Sequence, residues 1–481
     1  MIYDTAIIGS GATGAATAYT LSQYKSNTIL LEAASEVCAG VSKANSGIVH
    51  GGFHHPKDSL KTKLELHGNE LIEKLQKKLH FPYLKCGILV VAYSEEEFET
   101  LKVLYQRGLD NGVKDLELCY GKRIFELENK LDDRAVGGFF APHGGTIEPY
   151  SFVFALIECA IKNHCALKTD FKVIKGIFSD GIWELTAEDG RKVKACRVVN
   201  AAGLFADEVS AALNAEEFKI FPRKGEEYLL DRNSPAHPSR VIFPVPVKHS
   251  KGVLVIPTAG GTTMIGPTAE VVEDKNDTAT TGENFNKILE LTGSMIKGLS
   301  AGDLITSFAG LRPVHESEDF YIAASKKVPG LIHAAGIQSP GLTAAPAIGE
   351  YIVELLKDSG LKLEKNPDFD DTIPPRYEIR NLDDEKITEL HRKNPAWTNI
   401  ICRCEEISEA EIIEAIRRGH ITTDGIKFYT RAGMGRCQGG FCQAKILRII
   451  NRETGIPMEK LTKRGGNSFI LSGNLGDLEI K

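Results

Sequence analysis

Apolar and polar positions follow two periods along this chain. Near the N-terminus the apolar run Ala6-Ile7-Ile8 leads into glycines and then into the small, apolar stretch Ala15–Leu21. The run predicts a buried parallel strand, and the stretch predicts a helix packed on a sheet. A second run, Thr28–Leu31, predicts the next strand. Further on, Leu64, Leu71, Ile72, Leu75 and Leu79 share one helical face, so residues 60–79 are expected to be helical. Gly87–Ala92 reads as a strand. Glu95–Asn111 and Pro149–His164 read as helices, and Val198–Gly203 as a strand ending in a glycine turn. Between residues 218 and 330 the period shortens. The short runs Glu227–Leu230, Val253–Ile256, Thr263–Gly266 and Phe320–Ala323 predict an antiparallel sheet, with Gly260-Gly261 as a hairpin signal. Val328–Gly336 returns to strand and turn. Ser339–Thr343 then opens a helix running to about Lys357.

The glycines after the first strand have separate tasks. Gly9 permits a tight turn, Gly11 lets a pyrophosphate approach the backbone, and Gly14 lets helix and strand pack closely. The helix N-terminus, with Ala12 and Thr13 in its first turn, then faces the phosphates with its N–H groups and positive dipole end. Glu32 ends the second strand about 20 residues on, where a carboxylate is needed to accept ribose hydroxyls. In an NAD enzyme the nucleotide domain is usually continuous. Here a β-rich segment interrupts it and a late glycine turn completes it, which fits FAD better. Val199–Gly203, with Ala202 and Gly203 in its turn, would pass beside the adenine half. The glycine-rich stretch Gly40–Phe53 must also pass close to something.

Composition narrows the classes. At 481 residues the expectation is about three domains. A hydrophobic share of 42% and a charged share of 25% are those of a globular protein with a large core. The net charge of −6 supplies no basic face for nucleic acid. No apolar run approaches the about 18 residues of a transmembrane helix. A strand starting at residue 2 leaves no room for a signal peptide, so a cytoplasmic protein with reduced thiols is expected.

Several separated segments resemble one group. These are Ala44–His50, His249–Val255, Ile265–Ala269, Ser307–Pro313 and Ser339–Pro346. Through them, residues 1 to about 360 resemble the D-amino-acid-oxidase-like FAD oxidoreductases. Within that group they look most like bacterial glycerol-3-phosphate oxidases and dehydrogenases, with 2-hydroxyglutarate oxidases as cousins. The family's Arg-Gly-Glu-Tyr stretch stands here as Lys224-Gly-Glu-Glu-Tyr228, so Lys224 departs from the pattern. The resemblance implies FAD held by Gly9, Gly11, Ala12, Thr13, Gly14, Glu32, Ser42, Asn45, Ser46, Gly47, Ala202, Gly203, Gly336, Gly341, Leu342 and Thr343. Oxidising a secondary alcohol moves a hydride to flavin N5 and needs a base for the hydroxyl proton. His50 suits that task, because an ordinary histidine titrates near 6.5. In some cousins of this fold a histidine instead tethers the flavin covalently. Arg312 offers a planar fork for an anion, and Lys251 a second charge. Two cations favour a phosphorylated substrate over a carboxylate. Ser339 would hydrogen-bond substrate or flavin, and the helix behind it aims its positive end at the flavin pyrimidine.

Of ten cysteines, Cys38, Cys86, Cys119, Cys159, Cys165 and Cys196 are scattered and read as small core residues. The other four form Cys402-Arg-Cys404, then thirty-two residues, then Cys437-Gln-Gly-Gly-Phe-Cys442. Two close thiol pairs suit an iron–sulfur cluster or zinc. The single-residue gap is atypical of zinc, whose pairs are usually separated by about two to four residues. The set resembles the bacterioferritin-associated-ferredoxin-like [2Fe–2S] domain, which also ends the large subunit of anaerobic glycerol-3-phosphate dehydrogenase. Ser408–Glu411 offers a capping box for its first helix, and Gly433–Gly440 offers N–H groups for sulfur.

The expected architecture is α/β. A Rossmann-type FAD domain (1–85, 145–217, 325–360) is interleaved with an antiparallel β-sheet substrate domain (86–144, 218–324). A linker or wrapping segment (361–398), a small helical [2Fe–2S] module (399–460) and a tail (461–481) follow. The expected activity is oxidation of sn-glycerol 3-phosphate to dihydroxyacetone phosphate. Electrons would leave through the cluster to a second flavoprotein subunit or a quinone-linked acceptor, which would make the chain at most peripheral at the inner face of the cell membrane. The alternatives are a 2-hydroxy-acid dehydrogenase, an amino- or imino-acid dehydrogenase subunit, or a module that binds metal only to dock a partner.

Overall fold

The computed structural model describes residues 1–246 and 252–473. The chain forms two compact units. The first is Met1–Ala33 with Cys38–Ile373, and the second is Ala34–Val37 with Pro374 onward.

Among the described residues the first unit holds two large sheets and a small one of three short strands, Ile48–Val49, Gly145–Ile147 and Tyr83–Leu84. In one, strand β1 (Ile2–Ile8) lies between β2 (Thr28–Leu31) and the strand Lys192–Asn200, parallel to both. Ala166–Lys168 extends the parallel run beyond β2, and Leu331–Ala335 extends it beyond Lys192–Asn200. Antiparallel strands extend the sheet on the side of Lys192–Asn200, at Val173–Ser179 with Ile182–Ala187 and at Tyr321–Ala324. Ala6, Ile8, Ile29 and Leu31 share a buried core with Trp183 and Val198, which is why these runs are apolar at nearly every position. Helix α1 (Ala12–Ser22) buries almost every residue. Its small side chains admit close neighbours: a Cβ on Gly349, in the helix Gly341–Asp358, would lie 2.6 Å from the Ala16 carbonyl oxygen.

The second sheet comes from the two inserted segments. Its order is Glu270–Val271, Ile220–Leu230, Thr263–Gly266, Leu254–Pro257, Val241–Pro244, Ile88–Ala92, Gly137–Ala141 and Glu117–Tyr120. Leu304–His315 pairs along the whole length of Ile220–Leu230. The sheet is antiparallel except where Val241–Pro244 joins Ile88–Ala92 in parallel. That seam is where the two insertions meet, so no hairpin dictates direction there. The helix Gly282–Gly293, capped by Thr281, was not foreseen from the pattern.

Helix α2 (Leu60–Leu79) starts at Ser59, whose side chain accepts the Thr62 N–H, a cap worth about 0.5–2 kcal/mol. Gly68 interrupts it for a packing reason. A Cβ there would lie 2.1 Å from the Thr343 carbonyl oxygen, so only glycine lets α2 approach the start of the helix Gly341–Asp358.

The segment 361–398 divides between the units. Asn366 donates its N–H to Gln23, and Asp370 accepts from Lys162, both inside the first unit. From Pro374 the chain belongs to the second unit and includes the helix Asp384–Lys393, capped by Asp383. That unit also has the hairpin Ile400–Cys402 with Ile407–Ser408 and the helices Glu409–Arg417, Thr423–Thr430 and Gln443–Thr454. The capping box expected at Ser408 and Glu411 is present in both directions. Among the described residues no helix is long and apolar enough to cross a membrane.

Candidate active site and cysteine centre

The turn from β1 to α1 is built by its glycines. Gly9 has φ +103°, and a Cβ there would lie 2.5 Å from the Ala201 carbonyl oxygen. The same test at Gly14 gives 1.9 Å to the Gly9 carbonyl oxygen, so helix and turn touch through bare backbone. Gly11 stands at the N-cap with no side-chain cap, and no acidic residue lies in the first turn. This helix start suits an anion. Ser42 Oγ accepts the Ala12 N–H at 2.9 Å, which places Ser42 beside that turn. Thr13 lies one residue further along α1. Glu32, just past β2, accepts the Ser10 N–H at 2.9 Å and also the Ser10 hydroxyl. Ala202 donates its N–H to the Asn200 side chain, and Gly203 turns with φ +59° beside the same corner.

A cavity of about 460 Å³ opens in the first unit, against the strands Ile220–Leu230 and Leu304–His315 and the start of the helix Gly341–Asp358. Asn45, Ser46, His50, Arg312, Ser339, Gly341 and Leu342 line it, so the structure brings these sequence-selected residues together. Asn45 Oδ1 accepts the Gly47 N–H at 2.8 Å, which fixes the loop in a turn. Gly47 itself has φ +73° and packs its backbone on Ile147. His50 is buried and held from three sides. Its N–H donates to Thr343 Oγ1 at 3.0 Å, its carbonyl accepts from Asn69, and its Nε2 lies 3.1 Å from Ser339 Oγ. Thr343 also donates to the Ile48 carbonyl, so one hydroxyl ties the helix start to the histidine strand. Gly336 sits at the preceding turn with φ +67°, packed on His315.

Arg312 lies on Leu304–His315 directly opposite Arg223 on Ile220–Leu230, and both line the cavity. Arg312 donates to the Thr268 carbonyl at 3.2 Å, and Arg223 to Glu318 at 2.8 Å. Burial pushes the Arg312 guanidinium below its usual range, with the Glu227 carboxyl countering. Lys61, at the start of α2, also lines the cavity and donates to the Glu318 carbonyl. Its ammonium is lowered by burial. Glu227 completes the wall, pushed up to about 7 by burial against the Ser46 hydroxyl and Arg312.

Sequence reading had missed Arg223, Lys61 and Glu227. The signal available was parity: Arg223, Gly225 and Glu227 alternate along one strand and face one side. Lys224 has the opposite parity, and its ammonium goes to Asp277 at 2.8 Å and to the Ala279 carbonyl. That side chain is a structural ion pair outside the cavity wall. Lys251 lies outside the described residues.

In the second unit the four cysteines selected by spacing come into contact. Cys404 and Cys437 sulfurs are 3.5 Å apart, and Cys402 Sγ accepts the Gly433 N–H at 3.5 Å. Cys442 donates to Cys402, which with the Gly433 and Glu405 N–H groups holds Cys402 below the ordinary thiol range. Glycine is required beside Cys404, because a Cβ on Gly435 would lie 2.4 Å from the Cys404 Cβ. The thiols thus fall into two pairs. Among the described residues no three ligand side chains close on a single ion. All-thiolate donors in two pairs, with backbone N–H groups on sulfur, fit a two-iron cluster.

Comparison with known proteins follows the same division. Residues 4–355 match the family model described as FAD dependent oxidoreductase (DAO), and residues 400–452 match the BFD-like [2Fe-2S] binding domain. A glycerol 3-phosphate dehydrogenase of Caloramator mitchellensis is 39% identical over 98% of both chains. A glycerol 3-phosphate oxidase of Mycoplasma genitalium is 32% identical over 76% of this chain and 98% of its own. The dithionite-reduced, FAD-bound L-alpha-glycerophosphate oxidase of Mycoplasma pneumoniae superposes with a TM-score of 0.75. It is 30% identical, over 79% of this chain and all of its own.

Proposed function

Because the chain belongs to the family of FAD dependent oxidoreductases and carries a BFD-like [2Fe-2S] binding domain, we propose that it oxidises the C2 hydroxyl of sn-glycerol 3-phosphate to dihydroxyacetone phosphate. FAD and a [2Fe–2S] cluster are its cofactors. The observation that carries the substrate reading is the cavity wall, where the buried His50, paired with Ser339, sits with two arginines. A phosphate dianion favours more than one cation, whereas a single arginine serves a carboxylate.

Bound FAD supplies a two-electron acceptor, and the cluster a one-electron carrier that hands electrons to a redox partner. Gly9, Gly11, Gly14 and the α1 N-terminus would hold the FAD pyrophosphate, and Glu32 would hold the ribose. Arg223 and Arg312 grip the phosphate. His50 takes the hydroxyl proton at Nε2 as the C2–H bond breaks, and Ser339 holds the imidazole in place for that transfer. The partner is a second flavoprotein subunit or a quinone-linked acceptor.

The deciding experiment is an anaerobic substrate panel read by flavin bleaching. Glycerol 3-phosphate is expected to bleach the flavin. Bleaching by a 2-hydroxy acid or an amino acid in its place would overturn the substrate reading. Glu32→Arg is expected to yield folded protein with little FAD, and full flavin content would remove Glu32 from the cofactor site. Arg312→Ala is expected to weaken glycerol 3-phosphate binding about tenfold to a hundredfold, the range for a lost charge-assisted bond. Unchanged affinity would place the anion site elsewhere.

A further inference from the structure

Ile220–Leu230 presents Arg223, Gly225 and Glu227 on one face, and all three line the cavity. Gly225 leaves a gap that the Arg312 guanidinium occupies: a Cβ there would lie 2.6 Å from Arg312 Nη2. The face therefore runs cation, cation, carboxyl. Two residues along a strand span about 7 Å. That spacing is comparable to a three-carbon chain with a phosphate at one end. Glu227 is 4% exposed. One of its oxygens accepts the Ser46 hydroxyl. The other, Oε2, is buried and accepts no hydrogen bond from any described residue. Leaving such an oxygen without a partner costs about 1–3 kcal/mol, so its presence in a cavity wall asks for a ligand group.

The neighbours decide which group. An ammonium would meet the positive charge of Arg312 and Arg223. A carboxylate would face the Glu227 carboxyl across a dry wall. A hydroxyl suits the site in either protonation state, since it donates to an ionised carboxyl and accepts from a protonated one. With Glu227 pushed up to about 7 by burial, both states are populated near neutral pH.

We propose that Glu227 is a specificity-determining residue that binds the free primary hydroxyl of a phosphorylated triol whose phosphate lies at Arg223 and Arg312. The inference rests on the phosphorylated-substrate reading above. It predicts that a 2-hydroxy diacid is refused, because such a molecule would place a second carboxylate at Glu227.

The test compares glycerol 3-phosphate with 2-hydroxypropyl phosphate, the same molecule with its terminal CH₂OH reduced to CH₃. Rates of flavin bleaching against concentration give kcat/KM for each in FAD-loaded protein. The parent is expected to prefer the triol by about 10²-fold or more, as sites built to hydrogen-bond a hydroxyl do. In Glu227→Leu the preference should fall to within a few-fold, chiefly through loss of the triol, with FAD content unchanged. If Glu227→Leu lacks FAD, Glu227→Ala is read the same way. A parent with no preference, or a variant with the parent's preference, overturns the role of Glu227 while leaving the substrate reading in place. A parent bleached by neither phosphate overturns both.

Discussion

His50→Ala is expected to keep its FAD and to reduce it by glycerol 3-phosphate about 10²-fold or more slowly than the parent, the usual loss when a general base is removed. The size of the effect follows from how the ring is held. The His50 N–H is fixed by Thr343, its carbonyl by Asn69, and its Nε2 by Ser339 at 3.1 Å. A buried imidazole held in this way is preorganised, and water entering the alanine cavity would not reproduce its position. Binding should change little, because the phosphate grip proposed above is made by Arg223 and Arg312 and not by His50. Rapid mixing under anaerobic conditions, followed by flavin absorbance, measures the step directly. A parent-like reduction rate would take His50 out of the chemistry. Acid precipitation of the parent addresses the tether: if it releases the flavin, His50 carries no covalent bond to it.

Cys402→Ser combined with Cys437→Ser is expected to abolish turnover with the physiological acceptor, while single-turnover flavin reduction by substrate survives. The double change takes one sulfur from each contacting pair, Cys402 with Cys442 and Cys437 with Cys404. Neither half then keeps two thiolates. The parent should carry about two iron atoms per chain, with visible absorption and a reduced-state paramagnetic signal, and the variant none. Zinc without iron in anaerobically purified parent would leave the module as a structural dock only.

What the sequence disclosed depended on how local the signal was. β1, the glycine turn, α1 and β2 are contiguous, so their order, apolar runs and terminal Glu32 were visible together. The cysteine pairs were visible because ligand spacing is itself a local signal. The wall of the cavity was not. Arg223 and Arg312 face each other across a strand pair whose register is set by residues 89 positions apart, which no local period encodes. A one-residue difference in parity sends Lys224 to Asp277 and Arg223 to the cavity, and motif matching had drawn attention to the wrong one of the two. The helix Gly282–Gly293 buries the polar Asn284 and Thr292 beside Ile288, so its apolar period was faint. The helix Asp384–Lys393 buries only Leu390, and its charge made it resemble a connector.

The second unit is discontinuous in sequence, because Ala34–Val37 belongs to it. Glu36 explains why. Its carboxylate accepts the Thr422 N–H and hydroxyl and lies 2.9 Å from His420, all buried or nearly so. A gene fragment starting at Pro374 would therefore encode this unit without the acid its helix Thr423–Thr430 starts against.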